Sequence, residues 1–89
     1  MSTQDRWLVE LSIAEMDGET RADGRLIMTG GACWLGHGGA RCHPRDPGIA
    51  EIGEKIAAAR ALSDLAHLLA GNAAEELEAI THEHAQVDL

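Results

Sequence analysis

The stretch Ile49–Gly71, IAEIGEKIAAARALSDLAHLLAG, decides the fold. Ile52, Ile56, Ala59, Leu62, Ala66 and Leu69 recur three or four residues apart, which gathers them on one apolar stripe of a helix. Such a stripe must be covered by another apolar face, and the residues before it read as sheet.

Residues 6–15, RWLVELSIAE, alternate: Trp7, Val9, Leu11 and Ile13 face one way, Glu10 and Ser12 the other, as in a half-covered strand. Asp17-Gly18 suits a two-residue type I′ turn, whose two central positions need positive φ. That turn fixes a register pairing Val9 with Leu26, Leu11 with Gly24 and Ile13 with Ala22 on one face. On the other face Glu10 lands opposite Arg25, a pair worth about 0.2–1 kcal/mol.

Gly30-Gly31 marks a second reversal, and CWLGHGGARC (33–42) a third strand. A two-residue turn there places Cys33, Leu35, His37 and Gly39 beneath the helix. Trp34 then joins Leu8 and Ile27 on the outer face as an exposed dimer surface. A three-residue loop through Ala32 reverses each of these assignments.

Two prolines in HPRDPG (43–48) end the sheet, and Asp46-Pro47 resembles an N-cap followed by the first helical position. Gly53 weakens the first turns and moves the firm start of the helix toward itself. Glu51–Lys55 and Arg60–Asp64 are spaced to pair along the helix surface. Gly71 is expected to close the helix in the left-handed conformation. Asn72 with Glu75 then forms a capping box that opens a second helix to about Thr81, with Leu77 and Ile80 on its narrow apolar edge. The expected architecture is α+β: one domain over residues 1–89, a three-stranded antiparallel sheet followed by two helices (β-β-β-α-α), the long one packed on one sheet face.

Eighty-nine residues bury only about 60–65% of the unfolded surface, so the core is thin and dimerisation would reinforce it. The polar N-terminus carries no secretory signal, and no apolar run spans a membrane. Two cysteines without an export signal read as free thiols, which together place the protein in the cytoplasm. The net charge of −8 is uneven. Residues 1–47 hold seven acids against five arginines, −2, and residues 48–89 hold eight acids against Lys55 and Arg60, −6. The helical half therefore repels phosphate backbones. Any RNA contact falls to Arg21, Arg25, Arg41 and Arg45, and with no Phe or Tyr there is little to stack bases.

No constellation in the chain commits to a chemistry. Cys33, His37, Cys42 and His43 are zinc-ligand types, with His82 and His84 further on, but the two cysteines lie nine residues apart on one strand, about 30 Å end to end. Gly36, Gly38 and Gly39 lie within a strand and do not lead into a helix, so they read as a bulge or a close backbone approach rather than a phosphate loop. Ser63, Asp64 and His67 share one helix without a nucleophile elbow. The expectation is a protein without enzymatic activity, metal or cofactor, with itself, an unidentified protein or the ribosome as partner.

Five segments in order carry a resemblance: WxVELSI (Trp7–Ile13), TRAxxRL (Thr20–Leu26), GxGxAR (Gly36–Arg41), PxxxxIxEIGEKIxxARALSDLA (Pro44–Ala66) and EAITH (Glu78–His82). Together they resemble the small actinobacterial domain-of-unknown-function family with a double-stranded-RNA-binding-domain-like fold. That resemblance implies a homodimer without an established catalytic residue, a setting of stress, hypoxia and dormancy, and a similarity to ribosome hibernation factors. The chain departs from the family pattern in two ways. His37 and Gly39 stand where it has apolar residues, implying a looser core beneath the helix, and Asp23-Gly24 lowers the basic character of the second strand.

Overall fold

Asp17 and Gly18 turn the chain with φ of 52° and 77°, the two positive values a type I′ turn requires. Strand β1 (Leu8–Met16) thereby pairs antiparallel with β2 (Glu19–Ile27) in the register expected, Val9 with Leu26, Glu10 with Arg25 and Ile13 with Ala22. Strand β3 (Cys33–Arg41) pairs with the other side of β2, giving the order β1-β2-β3. A single long helix, α1 (Pro47–Thr81), completes the α+β fold. The structure, a computed structural model, describes residues 5–41 and 47–89. The expected N-cap at Asp46 lies outside them.

The third strand faces the opposite way from the two-residue-turn expectation. The connector spans Met28–Ala32: the Gly31 N–H donates to the Met28 carbonyl (3.0 Å) and the Met28 N–H to the Ala32 carbonyl (2.9 Å). Gly30 and Gly31 both take positive φ, 93° and 91°, which lets the chain make this longer turn. The resulting register pairs Leu26 with Trp34, Gly24 with Gly36, Ala22 with Gly38 and Thr20 with Ala40. Trp34 therefore belongs to the inner face, while Cys33, Leu35, His37 and Gly39 stand outside. His37 and Gly39 consequently do not loosen the core; they are not in it.

The inner face of β2 and β3 is a bed of small residues, and it selects which side of α1 lies down. A Cβ on Gly36 would sit 2.7 Å from Leu65 Cγ and 2.8 Å from the Ala61 carbonyl oxygen. One on Gly38 would meet the Ala57 carbonyl and the Ala61 nitrogen. The strand glycines thus serve a close backbone approach. Gly53, Ala57, Ala61 and Leu65 are the buried stripe; Ala57 and Ala61 cluster with Ala22 and Ala40, and Leu65 lies against Gly24 and Gly36. This corrects the stripe expected from hydrophobicity, because above Gly38 the helix backbone comes so near the strand that only small side chains fit, while Leu65 fits over Gly24 and Gly36. Ile52 and Leu62 remain 54% and 43% exposed on its flanks.

The helix lies over β2 and β3 and scarcely touches β1. Val9, Leu11 and Ile13 share the inner face by register yet remain exposed, Val9 at 50%.

The expected break at Gly71 does not occur. Gly71 is a helix-interior residue with open space around it, and Asn72 and Glu75 continue the same helix instead of capping a second one. The glycine costs about 1 kcal/mol relative to alanine, which helical neighbours on both sides absorb. Termination falls at His82, whose φ of 58° is left-handed. There the His82 N–H donates to the Glu78 carbonyl (2.7 Å), the Thr81 hydroxyl to the Leu77 carbonyl (3.0 Å), and the Ala85 N–H to Glu78 Oε1 (2.8 Å).

Candidate functional site

With its parity fixed, the outer sheet face collects most of the polar groups of the strands. Rungs running from β1 through β2 to β3 read Leu8–Ile27–Cys33, Glu10–Arg25–Leu35, Ser12–Asp23–His37, Ala14–Arg21–Gly39 and Met16–Glu19–Arg41. One end is apolar and the rest is a lattice of ion pairs. Arg25 Nη2 donates to Glu10 at 3.1 Å, Arg41 Nη2 to Glu19 at 3.0 Å, and Arg21 Nε to Asp23 at 3.1 Å. His37 Nδ1 lies 2.7 Å from Asp23 Oδ1; a carboxylate only accepts, so that ring nitrogen carries the proton. The His37 hydrogen bond, and after it the one from Arg21, holds the Asp23 carboxyl below its ordinary value.

Two helix side chains reach the free edge of β3. Asp64 accepts the His37 backbone N–H (2.9 Å), and Arg60 Nη1 donates to the Gly39 carbonyl (2.6 Å). Backbone groups that would template another strand are thereby occupied at two points. The i,i+4 pairing expected between Arg60 and Asp64 is replaced by these strand contacts, whereas Glu51–Lys55 pairs as expected at 3.8 Å. Arg21, His37, Gly39, Arg41 and Arg60 border a recess of about 480 Å³.

Of the residues expected at a dimer surface, Leu8 and Ile27 do share the outer face, but Trp34 lies across the sheet, half-buried beside Leu68 and Gly71. Arg21, Arg25 and Arg41 share the outer face and each is tied to an acid; Arg45 lies outside the described residues, as do Cys42 and His43. Cys33 is exposed at the apolar end, and His84 pairs with Glu78 (3.2 Å) beyond the helix terminus. Among the described residues no three potential metal ligands converge. His67 Nδ1 sits 2.7 Å from the Ser63 carbonyl, so its proton is spent on the backbone and that nitrogen cannot act as base toward the Ser63 hydroxyl, 3.5 Å away. Sequence reasoning paired Arg60 with Asp64 on the helix surface and missed their contacts to β3. Their signal was position, one helical turn apart on the border of the small-residue stripe.

The family model described as Rv2632c-like matches residues 5–86. The chain belongs to the Rv2632c-like family. Among its relatives, the uncharacterized protein Mb1767 of Mycobacterium bovis is 40% identical over 81 residues, covering 91% of this chain and 85% of that protein. The uncharacterized protein Rv2632c of Mycobacterium tuberculosis is 43% identical over 75 residues, covering 84% and 80%. The crystal structure of Rv2632c superposes with a TM-score of 0.75 at 38% identity, covering 93% of this chain and 95% of that one. The sheet-plus-helix arrangement is thus shared with a solved member of the Rv2632c-like family. No helix among the described residues is long and apolar enough to cross a membrane.

Proposed function

We propose that this chain is a non-enzymatic, homodimeric protein-interaction module of the cytoplasm, working in stress and dormancy. The observation that carries the dimer is the uncovered half of the inner face. Val9, Leu11 and Ile13 point from β1 toward a helix that does not reach them, while Ile52, Ile56 and Leu62 stand exposed on the helix flanks. Burying one such side chain gains about 1.5–3 kcal/mol, and a second copy offers the same apolar surfaces in complementary places. The stress and dormancy setting and the double-stranded-RNA-binding-domain-like classification rest on the family resemblance; the absence of enzymatic activity rests on it and on the lack of a convergent catalytic group among the described residues. Sedimentation equilibrium tests the dimer: the wild-type chain runs at twice its mass and Val9→Glu or Ile13→Glu at one. A monomeric wild type at cellular concentration would sink the reading.

The second reading is association with the ribosome or structured RNA, favoured by the shared outer-face placement of Arg21, Arg25 and Arg41. Their acidic partners weigh against it, since successive phosphates of a backbone would lie against Glu10, Asp23 and Glu19 on the same face. Co-sedimentation with ribosomes from oxygen-limited cells, lost as salt is raised, is the outcome that favours it.

A further inference from the structure

Three arginines from three different elements, Arg21 on β2, Arg41 on β3 and Arg60 on α1, line the recess of about 480 Å³ at the edge of the sheet. Its floor is Gly39. A Cβ there would meet only the Thr20 carbonyl oxygen, at 3.7 Å, so the space above the strand is open because this rung carries no side chain. Each arginine is held by one nitrogen, Nε of Arg21 on Asp23, Nη2 of Arg41 on Glu19 and Nη1 of Arg60 on the Gly39 carbonyl. Every guanidinium has five N–H donors, of which these contacts among the described residues take one each, and planar guanidiniums suit the oxygens of a tetrahedral oxyanion. His37, with Nδ1 committed to Asp23, has Nε2 as its remaining ring nitrogen at the same rim.

We propose that this recess binds one phosphate group, as free phosphate or as a small phosphomonoester. A dianion is favoured because the rim concentrates three arginines in a chain of net charge −8. A polyanion is disfavoured. Glu19 lines the recess in its ion pair with Arg41, Asp23 holds Arg21 from the next rung, Arg25 is engaged by Glu10 two rungs away, and the helical half carries most of the negative charge. One phosphate meets three arginines against the single carboxylate of Glu19 here, while the next phosphate of a backbone meets further carboxylates with no added cation. The proposal is independent of the dimer, whose apolar surface lies on the opposite face.

The test is an amide NMR titration of the whole chain with inorganic phosphate and, separately, glycerol phosphate, at constant ionic strength. Saturable shifts are expected at Gly38, Gly39 and Arg41 with either probe. The tighter of the two identifies the source as free phosphate or an ester. Gly39→Val fills the floor without altering any charge, and Arg41→Gln removes one guanidinium from an exposed side chain. Each is expected to weaken binding by about tenfold or more while leaving the melting curve unchanged. Shifts that do not saturate, or that persist undiminished in Gly39→Val, would overturn the site. So would an RNA oligonucleotide that binds wild type and Gly39→Val alike where neither phosphate probe binds.

Discussion

Alanine at Gly36 or Gly38 puts a methyl group into the seam between strand β3 and the helix. At Gly36 the new carbon would lie 2.7 to 2.9 Å from Leu65 Cγ, the Ala61 carbonyl oxygen and the Leu65 nitrogen. Comfortable contact begins near about 3.5 Å, so the helix must retreat by about 0.6–0.8 Å along this turn. At Gly38 the obstacles are the Ala57 carbonyl and the Ala61 nitrogen, with Arg60 Cβ at 2.7 Å. Both sites oppose the methyl with helix backbone, which has no alternative rotamer, and overpacking of this kind costs about 1–3 kcal/mol. Alanine recovers about 0.5–1 kcal/mol of that by restricting the unfolded chain. The net loss expected is about 1 kcal/mol, a fall in Tm of about 4–8 °C for a domain of this size. Circular-dichroism melts at one fixed protein concentration measure it, with Gly39→Ala as the internal control. Gly39 is on the same strand but has open space at its Cβ position, so its alanine variant should be unchanged or more stable by up to about 0.5–1 kcal/mol. If Gly36→Ala and Gly38→Ala melt with the wild type, or if Gly39→Ala falls as far as they do, the close seam is wrong.

Gly71→Ala should raise helicity and stability by about 0.8–1 kcal/mol, because Gly71 is an exposed helix-interior residue; a loss in a urea melt would mean a left-handed cap there after all. Leu65→Ala removes the largest side chain of the buried helix stripe, 4% exposed, and should cost about 2–5 kcal/mol by denaturant midpoint. Asp23 is held below its ordinary 3.8 in the folded state, so its stabilising contribution is present above that value and is lost as pH falls through the lower folded-state value. Urea midpoints followed from neutral into acid should therefore decline less steeply for Asp23→Asn than for wild type at the acid end; parallel curves would remove the ionised Asp23 from the account.

The hairpin of β1 and β2 was legible because two independent signals coincide. Asp17-Gly18 suits a type I′ turn, and the register it imposes gathers Val9, Leu11, Ile13, Ala22 and Leu26 onto one face and sets Glu10 against Arg25 on the other. The third strand was not legible to the same degree. Gly30-Gly31 serves a two-residue turn or the longer Met28–Ala32 connector equally well, and only the needs of a distant helix separate them. For α1 the hydrophobic stripe misled for a related reason. Burial there is set by how close Gly36 and Gly38 let the backbone come, and at that distance Ala57 and Ala61 fit where Ile56 does not. Gly71 carries the same letter as a helix cap or as a tolerated interior residue, and the left-handed residue that ends the helix is a histidine. The candidate site inherits the difficulty. Arg21 and Arg41 could be named from the strands, but Arg60 joins them only because the helix runs along the β3 edge.

The connector between β2 and β3 carries a consequence for descent. Surface loops ordinarily tolerate gain or loss of residues more freely than the elements they join. At Met28–Ala32 a change of one residue would invert β3, driving Leu35 and His37 against the helix backbone and turning Gly36 and Gly38 out to solvent. A change of two restores the alternation. Lineages that keep this fold should therefore vary the connector in even steps, so that its length is inherited as a parity even where its sequence drifts.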